Sequence, residues 1–366
     1  MSIIIFIIIL LVLVLVHEFG HFFTAKKFGI RVDEFGFGFP PKLFGIKKGE
    51  TEYTLNLLPL GGFVKIFGEN PDEENTTGPD AERSFVNKPK WKQAIVLGAG
   101  VCMNFLLAWF LFSIGFMSGL PTSVGSEPAG YKLSDVNTTI VSVMPKSPAE
   151  KAGLKPGDKI FSIQNADYSP SSNSPETIKA IVAESGGKEI EIGYTRGQDK
   201  NVNYAKLTPV INSVKSIPSI GIAMDEIGIA KVSFFSALWE GLKLTLYMVK
   251  STVVGLYTLI SQSLHGKGSL ESVTGPVGMV GIVGDAYKFG FVYLMSFAAL
   301  ISINLAIINL LPFPALDGGR LFFLLIEKIK GSRLNPKVAN TANMIGFGIL
   351  ILLMVVVTYH DIAKLF

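Results

Sequence analysis

Ile3-Ile4-Ile5-Phe6-Ile7-Ile8-Ile9-Leu10-Leu11-Val12-Leu13-Val14-Leu15-Val16-His17-Glu18-Phe19-Gly20-His21-Phe22-Phe23-Thr24 is an apolar run that carries two histidines and a glutamate near its end. It is long enough to cross a bilayer as a helix, which takes about 20 apolar residues. On that helix His17 and His21 lie four residues apart, so both rings leave one face a single turn apart. The spacing lets two ring nitrogens reach one zinc ion at about 2.0–2.1 Å, and it leaves Glu18 placed to act as general base on a metal-bound water. In a soluble helix the same three residues can be ordinary satisfied polar groups. Inside a membrane, ionisable side chains are costly and mark functional sites. Residues 1–24 therefore read as a first transmembrane helix bearing a metal-binding H-E-x-x-H.

From Ile3 to His17 is 14 residues, about 21 Å of rise in a hydrocarbon core about 30 Å thick. The metal is expected inside the membrane, nearer the end that exits at Lys26, Lys27 and Arg31, and those cations mark that end as cytoplasmic. No basic segment precedes the run and no small-x-small site separates it from Lys26-Lys27, so a retained span is expected rather than a cleaved signal.

Composition agrees. Of 366 residues, 49% are hydrophobic and only 17% charged, with 27 Phe, which is the balance of an integral membrane protein. The net charge of +4 is modest, and no basic cluster interleaved with aromatics points to nucleic acid as a partner. One cysteine, Cys102, excludes an intramolecular disulfide and, in its apolar setting, reads as a packing residue.

Beyond the first span, residues 33–68 change character. Phe35, Phe37 and Phe39 alternate with Gly36 and Gly38, Lys47-Lys48-Gly49-Glu50 suits a hairpin turn, and Glu52–Leu58 suits a strand leading to Gly61-Gly62-Phe63-Val64-Lys65. This is expected to be a membrane-associated β-hairpin. Residues 70–90 are polar and read as a loop. Residues 94–119 form a second span, with Gly98, Gly100 and Asn104 suited to close helix packing. Residues 121–225 read as a soluble α+β domain, with strands around Thr139–Val143, Lys159–Ile163 and Glu189–Tyr194 and a helix at Pro175–Glu184. Residues 233–262 are apolar with Glu240, Lys243 and Lys250 spaced along them. Residues 286–312 and 341–360 read as the third and fourth transmembrane helices. His265 and His360 have no partners at ligand spacing and read as surface residues.

A catalytic zinc usually keeps three protein ligands and one open position, so a carboxylate is wanted. Asp317 is the candidate, in Asn309-Leu310-Leu311-Pro312-Phe313-Pro314-Ala315-Leu316-Asp317-Gly318-Gly319. Alone, Asp-Gly-Gly after an apolar helix reads as a turn; the H-E-x-x-H makes it a ligand candidate.

With H-E-F-G-H in the first span, G-G-F-V-K after the hairpin, Ser147-Pro148-Ala149-Glu150-Lys151-Ala152-Gly153-Leu154 with its following turn, and N-x-x-P-x-P-x-L-D-G near the end, the chain resembles the site-2 proteases. Within them it resembles the bacterial regulator of sigma-E protease group, and the resemblance runs through most of its length. It implies that His17, His21 and Asp317 bind Zn2+, that Glu18 is the catalytic base, and that Asn304, Asn309, Pro312 and Pro314, with Gly61 and Gly62, shape the substrate site. The 121–225 domain resembles a bacterial PDZ domain, with room for one copy where better-known members carry two. The implied activity is cleavage of transmembrane segments of single-pass membrane proteins, such as an anti-sigma factor or a remnant signal peptide, in regulated intramembrane proteolysis. The implied location is the bacterial inner membrane.

This likeness constrains topology. His21 and Asp317 must meet at one depth, so the spans ending at each run inward, with the PDZ domain outside between them. An even number of crossings must then separate the second span from residue 286. Residues 233–262 are therefore expected as an interfacial amphipathic helix, giving a polytopic α-helical protein with about four transmembrane helices, an active site near the cytoplasmic side, and contact with lipid and with a peptide or substrate outer domain at the PDZ. Two alternatives are weaker. A catalytically inactive PDZ-bearing scaffold would not need His17, Glu18, His21 and Asp317 together. A metal transporter would show further polar residues along facing spans or an internal repeat, and neither is present.

Overall fold

The computed structural model describes residues 1–70, 73–165, 173–197, 199, 201–211, 217–265 and 274–363. Residues 166–172, 198, 200 and 212–216 of the expected PDZ domain, and Pro71 and Asp72 of the expected polar loop, lie outside that description. The chain divides into two compact units, one of Met1–Phe112, Gly241–Gly284 and Ser296–Phe366, the other of Ser113–Glu240 and Asp285–Met295.

The first unit opens with helix α1 (Ser2–Lys27), whose buried residues Leu13, His17, Gly20, His21 and Ala25 recur at helical spacing. One stripe faces protein. The rest of the helix exposes Ile3, Ile4, Ile8, Val12, Phe19 and Phe23, the arrangement of a helix with lipid on its outer side. Strands β1 (Val32–Lys48) and β2 (Thr51–Ile66) follow, then a short helix α2 (Glu73–Thr77), 3-10 turns at Ala81–Arg83 and Phe85–Asn87, and helix α3 (Lys90–Ser118). Ala25, Ile30, Val32, Ile66, Phe85, Val96 and Leu97 form a buried cluster that ties the end of α1, both strands and the start of α3 together.

The hairpin is more folded than its sequence suggests. Glu34 to Phe37 pair with Gly62 to Lys65 on one side and with Glu52 to Leu55 on the other, while Lys42 to Lys48 pair with Thr51 to Asn56. Residues 52–55 thus have strand neighbours on both sides, whereas the Gly62–Lys65 and Lys42–Lys48 segments lie at the edges. The outer face carries exposed Leu43, Phe44, Ile46, Leu55 and Leu57.

In the second unit, β3 (Leu120–Ser123), β4 (Ser134–Val143), a short α4 (Pro148–Lys151), β5 (Lys159–Asn165), α5 (Pro175–Glu184), β6 (Ile190–Thr195), β7 (Asn203–Leu207), β8 (Val210–Ile211), β9 (Pro218–Ser219) and β10 (Ile222–Ala230) succeed one another. Six of them form one sheet in the order β3-β10-β4-β5-β6-β7. Ser147 and Ser174 cap α4 and α5 by accepting from the Glu150 and Thr177 amides, with Pro at the first turn of each helix. Helix α5 buries Ile178, Ile181 and Val182 among Ile140, Ile160, Ile163, Ile190 and Ile192 of the sheet. Asp158, with a side chain of 0% exposure, is held by Arg196 at 2.6 and 2.7 Å.

The chain continues through α6 (Phe234–Leu264), α7 (Pro276–Phe289), α8 (Phe291–Asn309), α9 (Asp317–Lys330) and α10 (Pro336–Ala363). Among the described residues five helices are long and apolar enough to cross a membrane: α1, α3, α6, α8 and α10. Four spans were expected, with 233–262 lying in the interface as an amphipathic helix. Leu244, Met248, Val249 and Leu256 of α6 pack on the cluster of Ala108, Phe112, Ala299, Ile303 and Ile307 from α3 and α8. Contacts spread over 13 residues of one helix are those of a bundle member packed lengthwise. Glu240, Lys243 and Lys250 fall outside that aliphatic stripe.

Candidate metal centre

Helices α1 and α3 touch at backbone level. A Cβ on Gly20 would lie 2.7 Å from the Ala99 carbonyl carbon and 2.9 Å from the Gly100 nitrogen. A Cβ on Gly100 would lie 2.8 Å from His17 Nε2 and closer still to His21 Nε2. Small residues on both helices therefore make the space in which the two imidazoles stand. Both histidines are buried, at 5% and 6% exposure.

Asp317 arrives from the far end of the chain. Helix α8 ends at Asn309, a turn follows, and Asp317 opens α9. The two glycines after it are a packing requirement. A side chain on Gly318 would drive into the Leu310 and Leu311 carbonyls, and one on Gly319 would lie 2.6 Å from the Phe313 carbonyl carbon and 3.0 Å from the Pro314 nitrogen. The turn before Asp317 is held by α10. The Ala315 amide, at φ 75°, donates to Asn343 Oδ1 at 3.1 Å, and Gly346 leaves room for Pro314.

The result is a convergence of three donor atoms. His17 Nε2 and His21 Nε2 lie 3.0 and 3.3 Å from Asp317 Oδ2, and 3.2 Å from each other. Donors at about 2.0–2.1 Å around a tetrahedral zinc stand about 3.3–3.4 Å apart, so the set has the size of one face of such a site. It is also the only such group among the described residues. His21 Nδ1 lies 2.8 Å from the Val96 carbonyl; donating there fixes the proton on Nδ1 and leaves Nε2 its lone pair for a metal. Burial disfavours the Asp317 carboxylate, yet its hydrogen bonds to His17 and His21 outweigh burial and hold the carboxyl below the usual range. The donor set fits zinc, and the ring protons facing Asp317 would leave on metal binding.

Glu18 follows His17 on α1, and the Val64 amide of the hairpin faces its carboxyl group. A Cβ on Gly62 would stand 3.7 Å from Glu18 Cγ, so the edge segment of the hairpin borders the site. Asn309 reaches it as well, its Nδ2 lying 3.4 Å from His17 Nε2. Asn304 does not: its Oδ1 accepts from Thr252 Oγ1 of α6 at 3.1 Å. Pro312 and Pro314 shape the turn before Asp317, and Gly61, at φ 149°, lies against the Phe39 ring. Three residues that border the histidines were not singled out as site residues from the sequence. They are Val96, Gly100 and Asn104; the last two had drawn notice only as packing residues.

The model of peptidase family M50 matches residues 5–353. The chain belongs to peptidase family M50. Members of the family, the site-2 proteases, are zinc metalloproteases of the membrane, and this chain is an intramembrane zinc protease with Zn2+ as its cofactor. It is 32% identical over 445 residues to the regulator of sigma-W protease RasP of Bacillus subtilis, covering 100% of this chain and 99% of that one. It is 32% identical over 441 residues to the zinc metalloprotease RasP of Geobacillus kaustophilus, covering 100% and 98%. Among solved structures it is similar to the PDZ domain of an SdrC-like protein from Listeria monocytogenes, at 23% identity over 25% of this chain and 92% of that one. The TM-score of that match is 0.21, too low to argue from.

Proposed function

We propose that this M50 peptidase hydrolyses peptide bonds within transmembrane segments of single-pass membrane proteins, anti-sigma factors or remnant signal peptides among them, with His17, His21 and Asp317 as zinc ligands and Glu18 as general base. The observation that carries the reading is the meeting of three donor atoms within 3.0–3.3 Å beside Glu18, on helices apolar enough to cross a membrane. Zinc bound there supplies Lewis acidity and a water of lowered pKa. Glu18 takes the proton from the attacking water on its carboxylate and returns it to the leaving amine.

A substrate helix hides its amides in its own hydrogen bonds, so it must unwind before attack. Pairing with the edge of the hairpin supplies replacement bonds. Residues 52–55 are unsuited, being paired on both sides; the Gly62–Lys65 edge, beside Glu18, is the better platform. Asn309, at the rim of the donor set, supplies an amide to the same backbone. In this reading the second unit is an extracytoplasmic PDZ module that meets the substrate's outer domain, and the metal centre lies near the cytoplasmic face of the bacterial inner membrane.

The test is zinc content of the detergent-purified protein together with cleavage of a single-pass reporter. Wild type and Glu18→Gln should each hold about one zinc per chain, as expected for three intact ligands. Asp317→Ala should lose it, and only wild type should cleave. Wild type that takes up no zinc on reconstitution, or Glu18→Gln that still cleaves, would overturn the assignment.

A further inference from the structure

Each histidine of the metal centre has a second ring nitrogen, and helix α3 meets both. His21 Nδ1 has the Val96 carbonyl. His17 Nδ1 has Asn104, whose Nδ2 lies 3.3 Å away. Asn104 is fully buried, at 0% exposure, and its Oδ1 has no hydrogen-bond partner among the described residues. A polar atom orphaned inside an apolar helix pair is rare enough to need a reason.

The chemistry of the imidazole supplies one. His17 presents Nε2 to Asp317 and to His21 Nε2, so binding a metal there requires the ring proton on Nδ1. An Nδ1–H cannot be met by the amide NH2. Turning the carboxamide by 180° exchanges two nearly isosteric groups. Oδ1 then accepts from Nδ1–H, and the orphaned oxygen gains the partner it lacks. The unturned amide suits the other tautomer, in which Nδ1 accepts and Nε2–H donates to Asp317. The carboxamide can thus serve either protonation pattern of the ring without moving the backbone. That backbone is fixed: the Asn104 carbonyl accepts from Ser302 Oγ of α8 at 2.9 Å, and Ser302 is at 0% exposure.

We infer that Asn104 is a positioning residue for the metal centre, its carboxamide oxygen accepting the Nδ1–H of His17 and so fixing the tautomer and ring plane that present Nε2 to zinc. The inference rests on His17 being a zinc ligand. In many metal sites the outer hydrogen bond to a ligating histidine is worth 10–100-fold in metal affinity, and the same range is expected here.

The experiment is chelator competition for zinc in the full-length detergent-solubilised protein, comparing wild type, Asn104→Leu and Asn104→Asp. Leucine keeps the volume and removes the acceptor; aspartate keeps an acceptor in either orientation. Asn104→Leu should weaken zinc binding about 10–100-fold, while Asn104→Asp stays within a few-fold of wild type. Thermal unfolding separates positioning from packing. For a positioning residue the rise in Tm on zinc addition shrinks in Asn104→Leu, and the Tm of the chelated protein changes far less. Equal shifts of both forms, or zinc held within twofold of wild type by Asn104→Leu, would overturn the inference. Should the leucine variant fail to fold, 15N-histidine NMR of zinc-loaded wild type decides, since the chain has only 4 His. Protonated Nδ1 on His17 supports the inference and metallated Nδ1 refutes it. Wild type without zinc would instead sink the ligand assignment itself.

Discussion

Gly100→Ala puts a single methyl group beside the proposed zinc ligands His17 and His21, and its effect can be worked from the geometry. The new Cβ would stand 2.8 Å from both Nε2 and Cε1 of His17, and nearer still to His21 Nε2, where ordinary contact begins at 3.4 Å. His17 must therefore retreat by at least about 0.6 Å, and His21 by more; displacements near 1 Å in a reacting constellation cost on the order of 100-fold in rate. Backbone relief is blocked, because Gly20 already meets Ala99 at the same crossing. Overpacking of this kind also destabilises by about 1–3 kcal/mol. The matched control is Gly98→Ala, two residues away on the same helix, where an added Cβ meets nothing within 4 Å. The assay is chelator competition for zinc in parallel with cleavage of a transmembrane reporter. Gly100→Ala should lose zinc affinity at least about 10-fold and activity about 100-fold, with Gly98→Ala close to wild type. Wild-type zinc affinity in Gly100→Ala would refute the placement of α3 against the two histidines.

Two further predictions concern the rest of the chain. Arg196→Met strands the buried Asp158 carboxylate, which otherwise accepts only from the Lys155 amide at 2.8 Å among the described residues. A loss of about 3–5 kcal/mol is expected, read as protease sensitivity within 113–240, and Arg196→Met with Asp158→Leu should recover much of it; a loss below about 1 kcal/mol would contradict the pairing. Glu50, at the hairpin turn, bonds Lys26 and Arg83 at 2.5 Å each, and the bond to Lys26, foremost, holds its carboxyl below the ordinary glutamate value of 4.5 despite some burial. Its contribution, about 0.5–1 kcal/mol, is therefore complete above pH 4.5 and fades as pH falls through the lower folded value. Hydrogen-exchange protection of the hairpin, taken relative to the intrinsic exchange rate at each pH, should fall on that descent in wild type, and Glu50→Gln should be less protected already at neutral pH and flatter; identical profiles would rule the interaction out.

Much of the metal centre could be read from residue order because its constraints are local. Four residues separate His17 from His21, and a helix turns that interval into one face. Asp317 could be proposed because zinc chemistry asks for a third ligand, though its approach depends on Gly318 and Gly319 lying under the Leu310–Pro314 turn. The hairpin was half legible. Its turn at Gly49-Glu50 is local, but the fold-back that sets Gly36 against both Thr54 and Phe63 is not. That fold-back makes residues 52–55 interior strand. Helix α6 had been placed by counting crossings between the second span and Asp317, whereas the stripe from Leu244 to Leu256 finds its partners on α3 and α8, contacts that one segment's hydropathy cannot register.

By itself, then, the sequence determined the apolar helices, the H-E-x-x-H on one of them, and three strands and a helix of the second unit, each from periodicity or from spacing within a few residues; the D-G-G became a ligand candidate only through zinc's need for a third donor. Only the tertiary structure decided which backbone atoms and side chains surround the histidines. Gly100 matters because α1 crosses α3 there, Asn104 because it faces His17 Nδ1, and Val64 because its amide meets Glu18. The physical reason is that a hydrogen bond or a close approach between residues 46 to 87 positions apart depends on how two surfaces dock, and the pattern within either segment does not encode that docking.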